Sequence, residues 1–294
     1  MSLKDKLVKS APARKGKAAL NRVPRMIRRL QASDADYANH PPIIVNSLPK
    51  SGTHLMMQLA DALPGVVNYG TFLAQTPSLT LKERSRAQID ARIAALAPGE
   101  VVGAHLYYSP ETAAAFAKRN ALHLFIWRDP RDVILSEAHY LAEMARFHAM
   151  HATFKKISDP EDRVKLALTG DGTSRYPNAQ ARVAPYLGWC DDPRAVVMRY
   201  ERAIHPETQA GEVARVVAAF VKQGGKVADQ ATLTQSLMQA VAPKQSHTFH
   251  KGGVARWMQE MSTRNQALAK DIMPSLIALA QADPIPGQST EEQA

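Results

Sequence analysis

The sequence predicts an α/β fold of three layers, in which helices cover both faces of a central, mostly parallel sheet. Two observations predict it. Short apolar segments rich in β-branched residues alternate along the chain with longer segments whose apolar residues recur at helical spacing. Strands that are separated by helices pair in parallel through right-handed crossovers. The alternation therefore favours a parallel sheet with helices packed on each side.

The elements follow in chain order. Four short apolar runs that end at charged residues or turn residues predict strands, at residues 43–45, 101–106, 122–127 and 195–200. Helical spacing predicts a helix after the loop at 49–52 and further helices at 81–96, 110–118, 130–150, 212–221 and 233–241. Parallel strands place their carboxyl ends along one edge of the sheet, where open α/β sheets bind ligands.

Length and composition predict a single domain. The chain has 294 residues, of which 45% are hydrophobic, enough to bury one sizeable core. We expect the domain to span residues 41–294, with a mobile, mostly polar insertion near 145–185. The lone Cys190 allows no internal disulfide, which favours a reducing, cytoplasmic location. No apolar run reaches the roughly 20 residues that span a bilayer, and the charged amino terminus lacks the apolar stretch of a secretory signal.

Positive charge is concentrated near the amino terminus. Residues 1–40 hold 10 Lys and Arg against 3 Asp, a net of +7, whereas the other 254 residues hold 27 against 24, a net of +3. We therefore expect a basic, flexible tail over residues 1–40 and no nucleic acid partner. Residues 21–30 can form a short basic amphipathic helix that makes peripheral contact with an anionic membrane. A solvated leader is the alternative.

The loop after the first strand is suited to hold an anion. Pro49, Ser51 and Gly52 interrupt the chain between strand and helix, so backbone N–H groups and the positive end of the helix dipole face one small volume. Lys50 adds a full positive charge. Ser51, Thr53 and His54 add side-chain donors. The loop is thus predicted to bind phosphate or sulfate.

Matching chemistry follows at three other places in the chain. The third strand ends at Arg128, and Ser136 lies eight residues later inside the next helix, so that a guanidinium and a hydroxyl can hold a second phosphate. His105 lies at the end of the second strand. Lys251 and Gly252 belong to a late, glycine-containing loop that can close over a polyanion.

Three segments carry a family resemblance. PKSGTH at 49–54 resembles the phosphosulfate loop of sulfotransferases that use 3′-phosphoadenosine 5′-phosphosulfate (PAPS), and RDPRDVILS at 128–136 resembles their 3′-phosphate motif. HKGGVARW at 250–257 is similar in spacing to their RKGxxGxW segment. The order and separation of the segments also agree with the family, and the resemblance covers about residues 42–262. It implies the P-loop NTPase-like form of the three-layer fold.

The resemblance implies in-line transfer of a sulfuryl group from PAPS to an acceptor hydroxyl or amine, without a metal. Lys50 would stabilise the leaving phosphate and His105, where cytosolic members carry their catalytic histidine, would be the base. The implied catalytic residues are Lys50, His105 and Ser136. The implied cofactor-binding residues are Lys50, Ser51, Gly52, Thr53, His54, Arg128, Ser136, Tyr200, His250, Lys251 and Gly252.

Some positions depart from the family pattern. Leu55 stands where cytosolic relatives have a Trp that stacks on adenine, His250 replaces an Arg, and Ala255 replaces a Gly. The adenine platform is therefore not identified by the sequence.

Several site residues keep a structural interpretation beside the functional one. Arg128 can belong to a salt-bridge cluster at a helix start, and His105 can be a satisfied core histidine. Tyr200 can serve packing as well as a nucleotide contact. His54 can donate to the sulfate or cap the helix.

Two other functions and the acceptor also stay open. A P-loop nucleotide kinase shares the architecture, although the pattern GxxxxGK[ST] is absent. A non-catalytic basic protein that binds a membrane surface or nucleic acid is a third hypothesis. The acceptor pocket is predicted from Tyr69–Thr80, Leu106–Pro110 and the 145–185 insertion. Its aromatic residues favour a saccharide or glycolipid hydroxyl over a small phenol; they are Tyr107, Tyr108, Phe147 and Tyr176.

Overall fold

A five-stranded parallel sheet forms the centre of the protein. The computed structural model describes residues 20–240 and 253–283. The strand order is β2-β3-β1-β4-β5 and each neighbouring pair is parallel, as predicted. The strands are β1 (Ile43–Ser47), β2 (Phe72–Ala74), β3 (Val101–His105), β4 (Leu122–Trp127) and β5 (Ala195–Arg199). The four predicted strands are confirmed, and β2 is an additional strand at the edge of the sheet.

The register brings the predicted site residues to one edge. β1 lies between β3 and β4, with Asn46 opposite Ala104 and Ser47 opposite Ile126. The carboxyl ends of β1, β3 and β4 therefore lie side by side. Each of these ends leads directly into a segment with predicted chemistry: the 49–54 loop, His105 and Arg128.

Helices cover both faces of this sheet. In chain order they are α1 (Arg22–Leu30), α2 (Asp34–Asn39), α3 (Thr53–Asp61), α4 (Arg86–Ala94), α5 (Pro110–Lys118), α6 (Pro130–Glu143), α7 (His151–Lys156), α8 (Pro160–Thr169), α9 (Ala179–Leu187), α10 (Tyr200–Ile204), α11 (Pro206–Lys222), α12 (Gln230–Ala240), α13 (Trp257–Glu260), α14 (Thr263–Ile272) and α15 (Pro274–Ala282). A 3₁₀ turn follows α9 at Gly188–Asp191.

The core is divided by the sheet because successive strand side chains point to opposite faces. Ile43, Val45 and Leu124 contribute to one cluster, together with α3 and α11. Ile44 and Phe125 contribute to the other, together with α4–α9, α14 and α15. Both clusters are buried, which confirms the three-layer α/β fold.

The segment near 145–185 is helical and packs against the core. α7, α8 and α9 bury apolar side chains in the larger cluster, among them Phe154, Leu168 and Val183. The helix predicted over 130–150 ends at Glu143, and turns occupy most of the residues before α7. The sequence prediction missed α8 because residues 158–177 are mostly polar. The few apolar residues of α8 lie on one face of the helix, and that face is buried.

Part of the predicted flexible tail is also ordered. Residues 1–19 lie outside the described residues, but residues 22–39 form α1 and α2. Tyr37 in α2 is buried and donates a hydrogen bond to the Leu96 carbonyl at 2.9 Å. The basic helix predicted within residues 21–30 is confirmed as α1. In the described part of the chain, no helix combines the length and apolar character that crossing a membrane requires.

Candidate active site

The loop between β1 and α3 has the backbone of an anion-binding turn. Lys50 and Gly52 both adopt positive φ, at 69° and 107°. Gly52 caps α3 in the left-handed conformation, and a Cβ there would lie 2.6 Å from the Tyr200 ring. Only glycine fits this position. The first N–H groups of α3, with the positive end of its dipole, therefore open toward the carboxyl edge.

Hydroxyl groups within the loop hold its shape. Ser51 is buried, and its hydroxyl lies 2.5 Å from the Leu48 carbonyl and 2.9 Å from the Ile126 carbonyl. The Thr53 hydroxyl lies 2.7 Å from that of Ser47. These side chains tie the loop to β1 and β4. The contacts of Ser51, Thr53 and His54 with a cofactor stay predictions.

Lys50 carries the positive charge of this loop in a partly buried place. Its Nζ lies 3.9 Å from the centre of the Tyr140 ring, which is cation–π geometry. Burial lowers the pKa of Lys50 to about 8, against the opposing effect of the Glu137 carboxylate, and the nearby Arg128 charge lowers it further. The ammonium has lost hydrating water without gaining a full counter-charge, so binding of an anion beside it is favourable.

Tyr140 and Glu137 were not predicted as site residues. Both lie on α6, Glu137 one position and Tyr140 four positions after Ser136. Ser136 is half-buried near them. The spacing from Ser136 to Tyr140 is i to i+4, which places both on one helix face. That spacing is the signal from which Tyr140 could have been found.

His105 is fixed at the end of β3 in a defined tautomer. Its Nδ1 lies 2.8 Å from the Ser47 carbonyl oxygen and 3.1 Å from the Ser47 hydroxyl. A carbonyl oxygen only accepts, so Nδ1 carries the hydrogen and Nε2 is the nitrogen that can take a proton. The Phe72 ring packs edge-on against the imidazole, with centroids 4.9 Å apart.

The imidazole of His105 is neutral at physiological pH. Burial lowers its pKa to about 4, against the Ser47 carbonyl hydrogen bond, and the charges of His54 and Lys50 lower it further. A neutral imidazole with its Nδ1 anchored has the protonation state that a general base requires. The geometry also satisfies the structural alternative, since the histidine is packed and hydrogen bonded.

Arg128 is buried at the end of β4, beside the Lys50 loop. Its Nη2 donates to the Asp132 carboxylate and to the Gly253 carbonyl, both at 2.8 Å. Its guanidinium carbon lies 4.6 Å from the centre of the Tyr200 ring. Within residues 20–240 and 253–283, the buried Nε of Arg128 has no hydrogen-bond partner. A buried donor without a partner is costly, so this atom is suited to an anion that binds beside Tyr200.

The 128–136 and 250–257 segments are attached to each other. The Asp132 carboxylate accepts the backbone N–H of Trp257 at 2.9 Å, and the Arg131 guanidinium lies 3.6 Å from the Trp257 ring centre. Arg131 also pairs with Asp129 at 2.8 Å. The salt-bridge interpretation therefore holds for Arg131 and also for Arg128, which pairs with Asp132. Among the described residues, the Nε of Arg128 still has no hydrogen-bond partner. His250, Lys251 and Gly252 lie outside the described residues.

The aromatic residues predicted for the acceptor pocket have different surroundings. Tyr176 is fully buried under the Arg182 guanidinium, 4.0 Å from its ring centre, so its ring is not a platform for an acceptor. Tyr107 is half-buried, and its hydroxyl lies 3.3 Å from that of Thr76. Phe147 is exposed. Leu55 is buried in the smaller core cluster and presents no surface for adenine.

Among the described residues, no group of three or more His, Cys, Asp or Glu side chains is arranged to hold a metal ion. The described site thus consists of cations, hydroxyls, backbone N–H groups and the imidazoles of His54 and His105. These groups bind and stabilise anions and move a proton.

Comparisons with known proteins bear on the family and the fold of this chain. Residues 40–279 match the family model for the sulfotransferase domain. A mouse sulfotransferase complexed with PAP is 17% identical, with a TM-score of 0.54 over 86% of this chain and 89% of that chain. Retinol dehydratase with androsterone and inactive cofactor PAP is 15% identical, with a TM-score of 0.55 over 86% of each chain. Retinol dehydratase with retinol and PAP is 14% identical, with a TM-score of 0.52 over 82% of this chain and 84% of that chain.

At these identities the solved structures establish a shared fold. No match to a curated protein was found. The family match is stronger evidence, because it spans most of the chain, from residue 40, before β1, to residue 279, within α15. This chain therefore belongs to the sulfotransferase family.

Proposed function

We propose that this enzyme, a PAPS-dependent sulfotransferase, moves the sulfuryl group to a hydroxyl or amine of an acceptor with His105 as general base. One observation carries the proposal: the partly buried Lys50, the amino terminus of α3 and the Nε of Arg128, which has no partner among the described residues, lie at the same sheet edge as an anchored, neutral imidazole. The first three suit a donor that carries anionic groups at both its 5′ and its 3′ positions, and the imidazole suits an acceptor that must lose a proton.

The transfer step follows from this placement. The acceptor oxygen or nitrogen attacks sulfur in line, and its proton passes to Nε2 of His105. The bond between sulfur and the bridging phosphate oxygen breaks, and its electrons stay on the phosphate. Lys50 stabilises that charge, since the ammonium lies in the loop that holds the 5′ end of the donor. The products are the sulfated acceptor and PAP, 3′-phosphoadenosine 5′-phosphate.

The low pKa of His105 fits a role in the loaded enzyme. A pKa of about 4 would make a weak base at neutral pH if nothing else changed. The bound donor brings negative charge close to the ring, and negative charge favours the imidazolium. We therefore expect the pKa of His105 to rise when PAPS binds.

The second half of the donor is assigned to the Arg128 side of the site. The Nε of Arg128 and the hydroxyl of Ser136 would hold the 3′-phosphate, and Tyr200 would hold the Arg128 guanidinium from its other side. The proposed contacts of His250, Lys251 and Gly252 complete the pocket from outside the described residues. A 3′-phosphate contact of this kind selects PAPS over ATP.

The acceptor is proposed to be a saccharide or glycolipid hydroxyl. The half-buried Tyr107 and the exposed Phe147 support it, because aromatic rings pack against the apolar faces of sugars. The related retinol dehydratase structures hold retinol and androsterone, so alcohols of those types are the second candidate. We propose that the enzyme works in the cytoplasm, in peripheral contact with a membrane.

Calorimetry with PAP and ATP tests the donor site. We expect PAP to bind and ATP to bind far more weakly, because ATP lacks the 3′-phosphate that Arg128 would hold. Equal affinities would instead support the nucleotide kinase. Arg128→Lys, which keeps the charge but removes the Nε donor, should weaken PAP by at least about tenfold.

Turnover with labelled PAPS tests the base. His105→Ala should lower kcat by at least about a hundredfold, since general base catalysis contributes that much, while PAP affinity stays within about twofold. His40→Ala is the matched control, because it removes an imidazole that precedes β1, at the opposite edge of the sheet. Unchanged turnover in His105→Ala would exclude His105 from the chemistry. Screening saccharides, glycolipids, steroid alcohols and retinoids as acceptors tests the last assignment.

A further inference from the structure

The outer face of α1 is apolar and its inner face is polar, the reverse of an ordinary surface helix. Five large apolar residues in and beside this helix are exposed, from 45% for Ile27 to 80% for Leu20. The full set is Leu20, Val23, Met26, Ile27 and Leu30, which we call the α1 stripe. Scattered exposed apolar residues are normal, whereas a contiguous set marks an interaction surface.

Polar contacts hold the opposite face of α1 against the domain. Arg25 forms an ion pair with Glu100 at 2.7 Å and donates to the Ala95 carbonyl at 2.8 Å. Arg28 donates to the Pro98 carbonyl at 2.8 Å. Asn21, one turn earlier on the same face, donates to the Tyr69 carbonyl at 3.4 Å. These contacts fix the rotation of the helix, so the α1 stripe is turned outward by the fold itself.

Helical periodicity shows how the two faces are arranged. At about 100° per residue, the α1 stripe covers an arc of roughly 120° that lies opposite Asn21, Arg25 and Arg28. Arg22 and Arg29 lie along one margin of this arc and are exposed. The outward surface is therefore an apolar strip bordered by cations.

This combination fits an anionic lipid surface. Apolar side chains enter the boundary between headgroups and acyl chains, and neighbouring cations pair with anionic headgroups. Residues 1–19, which precede the stripe directly, hold six Lys and Arg and one Asp, so the charge of the neighbouring sequence has the same sign. We infer that the α1 stripe docks the enzyme on an anionic membrane, with Arg22 and Arg29 at the level of the headgroups.

Other occupants fit less well. In a symmetric contact with a second copy, the same patch faces itself, so Arg22 and Arg29 of both copies would lie close together and repel. A nucleic acid would satisfy the cations but would leave the α1 stripe in contact with phosphates and water. Only a surface that is both apolar and anionic satisfies both parts of α1.

Vesicle flotation with the full chain tests the inference. We expect the protein to float with vesicles of phosphatidylcholine mixed with phosphatidylserine, to bind phosphatidylcholine alone much more weakly, and to release as salt is raised. The double variant Ile27→Gln, Leu30→Gln should bind the mixed vesicles at least about tenfold more weakly, because it removes two apolar side chains from the interface. Both positions are exposed, so the fold should be kept, as an unchanged thermal unfolding midpoint would verify.

Leu79→Gln is the matched control. Leu79 is 65% exposed and lies outside the α1 stripe, so its variant should bind the mixed vesicles like the natural sequence. Equal binding by the double variant would overturn the inference and place any lipid affinity elsewhere in the chain. It would also be overturned if the natural protein did not bind the mixed vesicles. A dimer in light scattering that the double variant abolished would then identify the α1 stripe as a contact between two copies. Neither outcome bears on sulfuryl transfer, because no turnover is measured.

Discussion

Lys50 is held where its charge is costly until an anion arrives. Three features produce this state: the left-handed backbone that turns the side chain into the site, the Tyr140 ring below the ammonium, and a depth of burial that lowers its pKa to about 8. The Tyr140 ring favours the cation without neutralising it. The affinity of the loop for a polyanion is therefore coupled to the protonation state of one lysine.

The pH dependence of kcat/KM should report this coupling. We expect kcat/KM to fall above a pH of about 8, because the free enzyme then loses the Lys50 proton. Tyr140→Leu should move this alkaline limb of the pH profile to lower pH by roughly 0.4 to 1.5 units, since a cation–π contact of about 0.5–2 kcal/mol is lost. Tyr140→Phe keeps the ring and should leave the limb in place. A limb that moves equally in both variants would contradict the role of the ring.

His123 is a second buried imidazole, far from water and outside the reaction. It packs between Phe116 and Trp189, with ring centroids 4.9 and 4.3 Å away, and its Nε2 has no partner among the described residues. Burial lowers its pKa to about 3. The unfolded chain therefore binds a proton near pH 6.5 that the folded chain does not bind until about pH 3, so stability falls as pH drops through this window.

Replacing His123 by leucine should remove this acid sensitivity. From pH 7 to pH 5 the natural protein should lose about 2 kcal/mol more stability than His123→Leu, since the charged form is excluded only from the folded state. Urea unfolding of both proteins at the two pH values measures the difference. The same acid loss in both proteins would mean that the folded state admits the charged imidazole at little cost.

At the scale of elements, the site depends on the contact between the start of α6 and the segment that leads into α13. Asp132 joins them, because one oxygen pairs with Arg128 and the other accepts the Trp257 N–H. Asp132→Asn removes the counter-charge of a buried arginine, so we expect a loss of about 3–5 kcal/mol in urea unfolding. Asp162→Asn, an exposed carboxylate in α8, should change stability by less than about 0.5 kcal/mol.

The elements differ in how far the sequence determines them. Each of the four predicted strands is a distinct apolar run, and all four are present. β2 has only three residues, too few for any periodic signal, and is a strand because Phe72–Ala74 pairs with β3. α8 was obscured for another reason, since its charged residues outnumber the apolar ones that it buries. The local pattern thus identified β1, β3, β4 and β5, whereas β2 is a strand only through its pairing with β3.

The site follows the same rule. The position of Lys50, His105 and Arg128 at one edge could be predicted because each ends or closely follows a parallel strand, and strand ends meet at one edge whatever the details of packing. Their roles stay predictions. The Tyr140 ring under Lys50 and the Trp257 contact of Asp132 join residues 90 and 125 positions apart. The helical spacing from Ser136 could indicate Tyr140 as a residue on the same helix face, but the contacts themselves depend on side-chain packing in three dimensions, which a single sequence does not reveal.

For the whole molecule, Glu100 connects α1 to the sheet. Its fully buried carboxylate accepts hydrogen bonds from Arg25, from the Thr71 hydroxyl and from the Ala97 N–H, at 2.7, 2.6 and 2.9 Å. It is therefore both the counter-charge that holds α1 and a brace for the start of β3. Loss of this charge should release α1 before it loosens the remainder of the fold.

Limited proteolysis of Glu100→Gln measures that order. We expect trypsin to cut within α1 at least about tenfold faster than in the natural protein, because a charge-assisted contact of about 1.5–3 kcal/mol is removed. Glu111→Gln, at an exposed carboxylate, is the control and should be cut at the natural rate. First cuts in α4 instead of α1 would show that Glu100 stabilises the domain more than it holds the helix.

The position of α1 determines what a docked enzyme can reach. The helix contacts residues 95–100, which lead into the amino end of β3, whereas His105 lies at the carboxyl end of that strand. A bilayer beneath the α1 stripe would thus leave the reaction centre directed toward the aqueous phase. Donor and acceptor would exchange with bulk solution. The membrane would determine the location of the enzyme and confine its diffusion to two dimensions. The reaction centre would not reach lipids of the same leaflet. Of the two proposed acceptors, this orientation therefore favours a water-borne saccharide over a glycolipid.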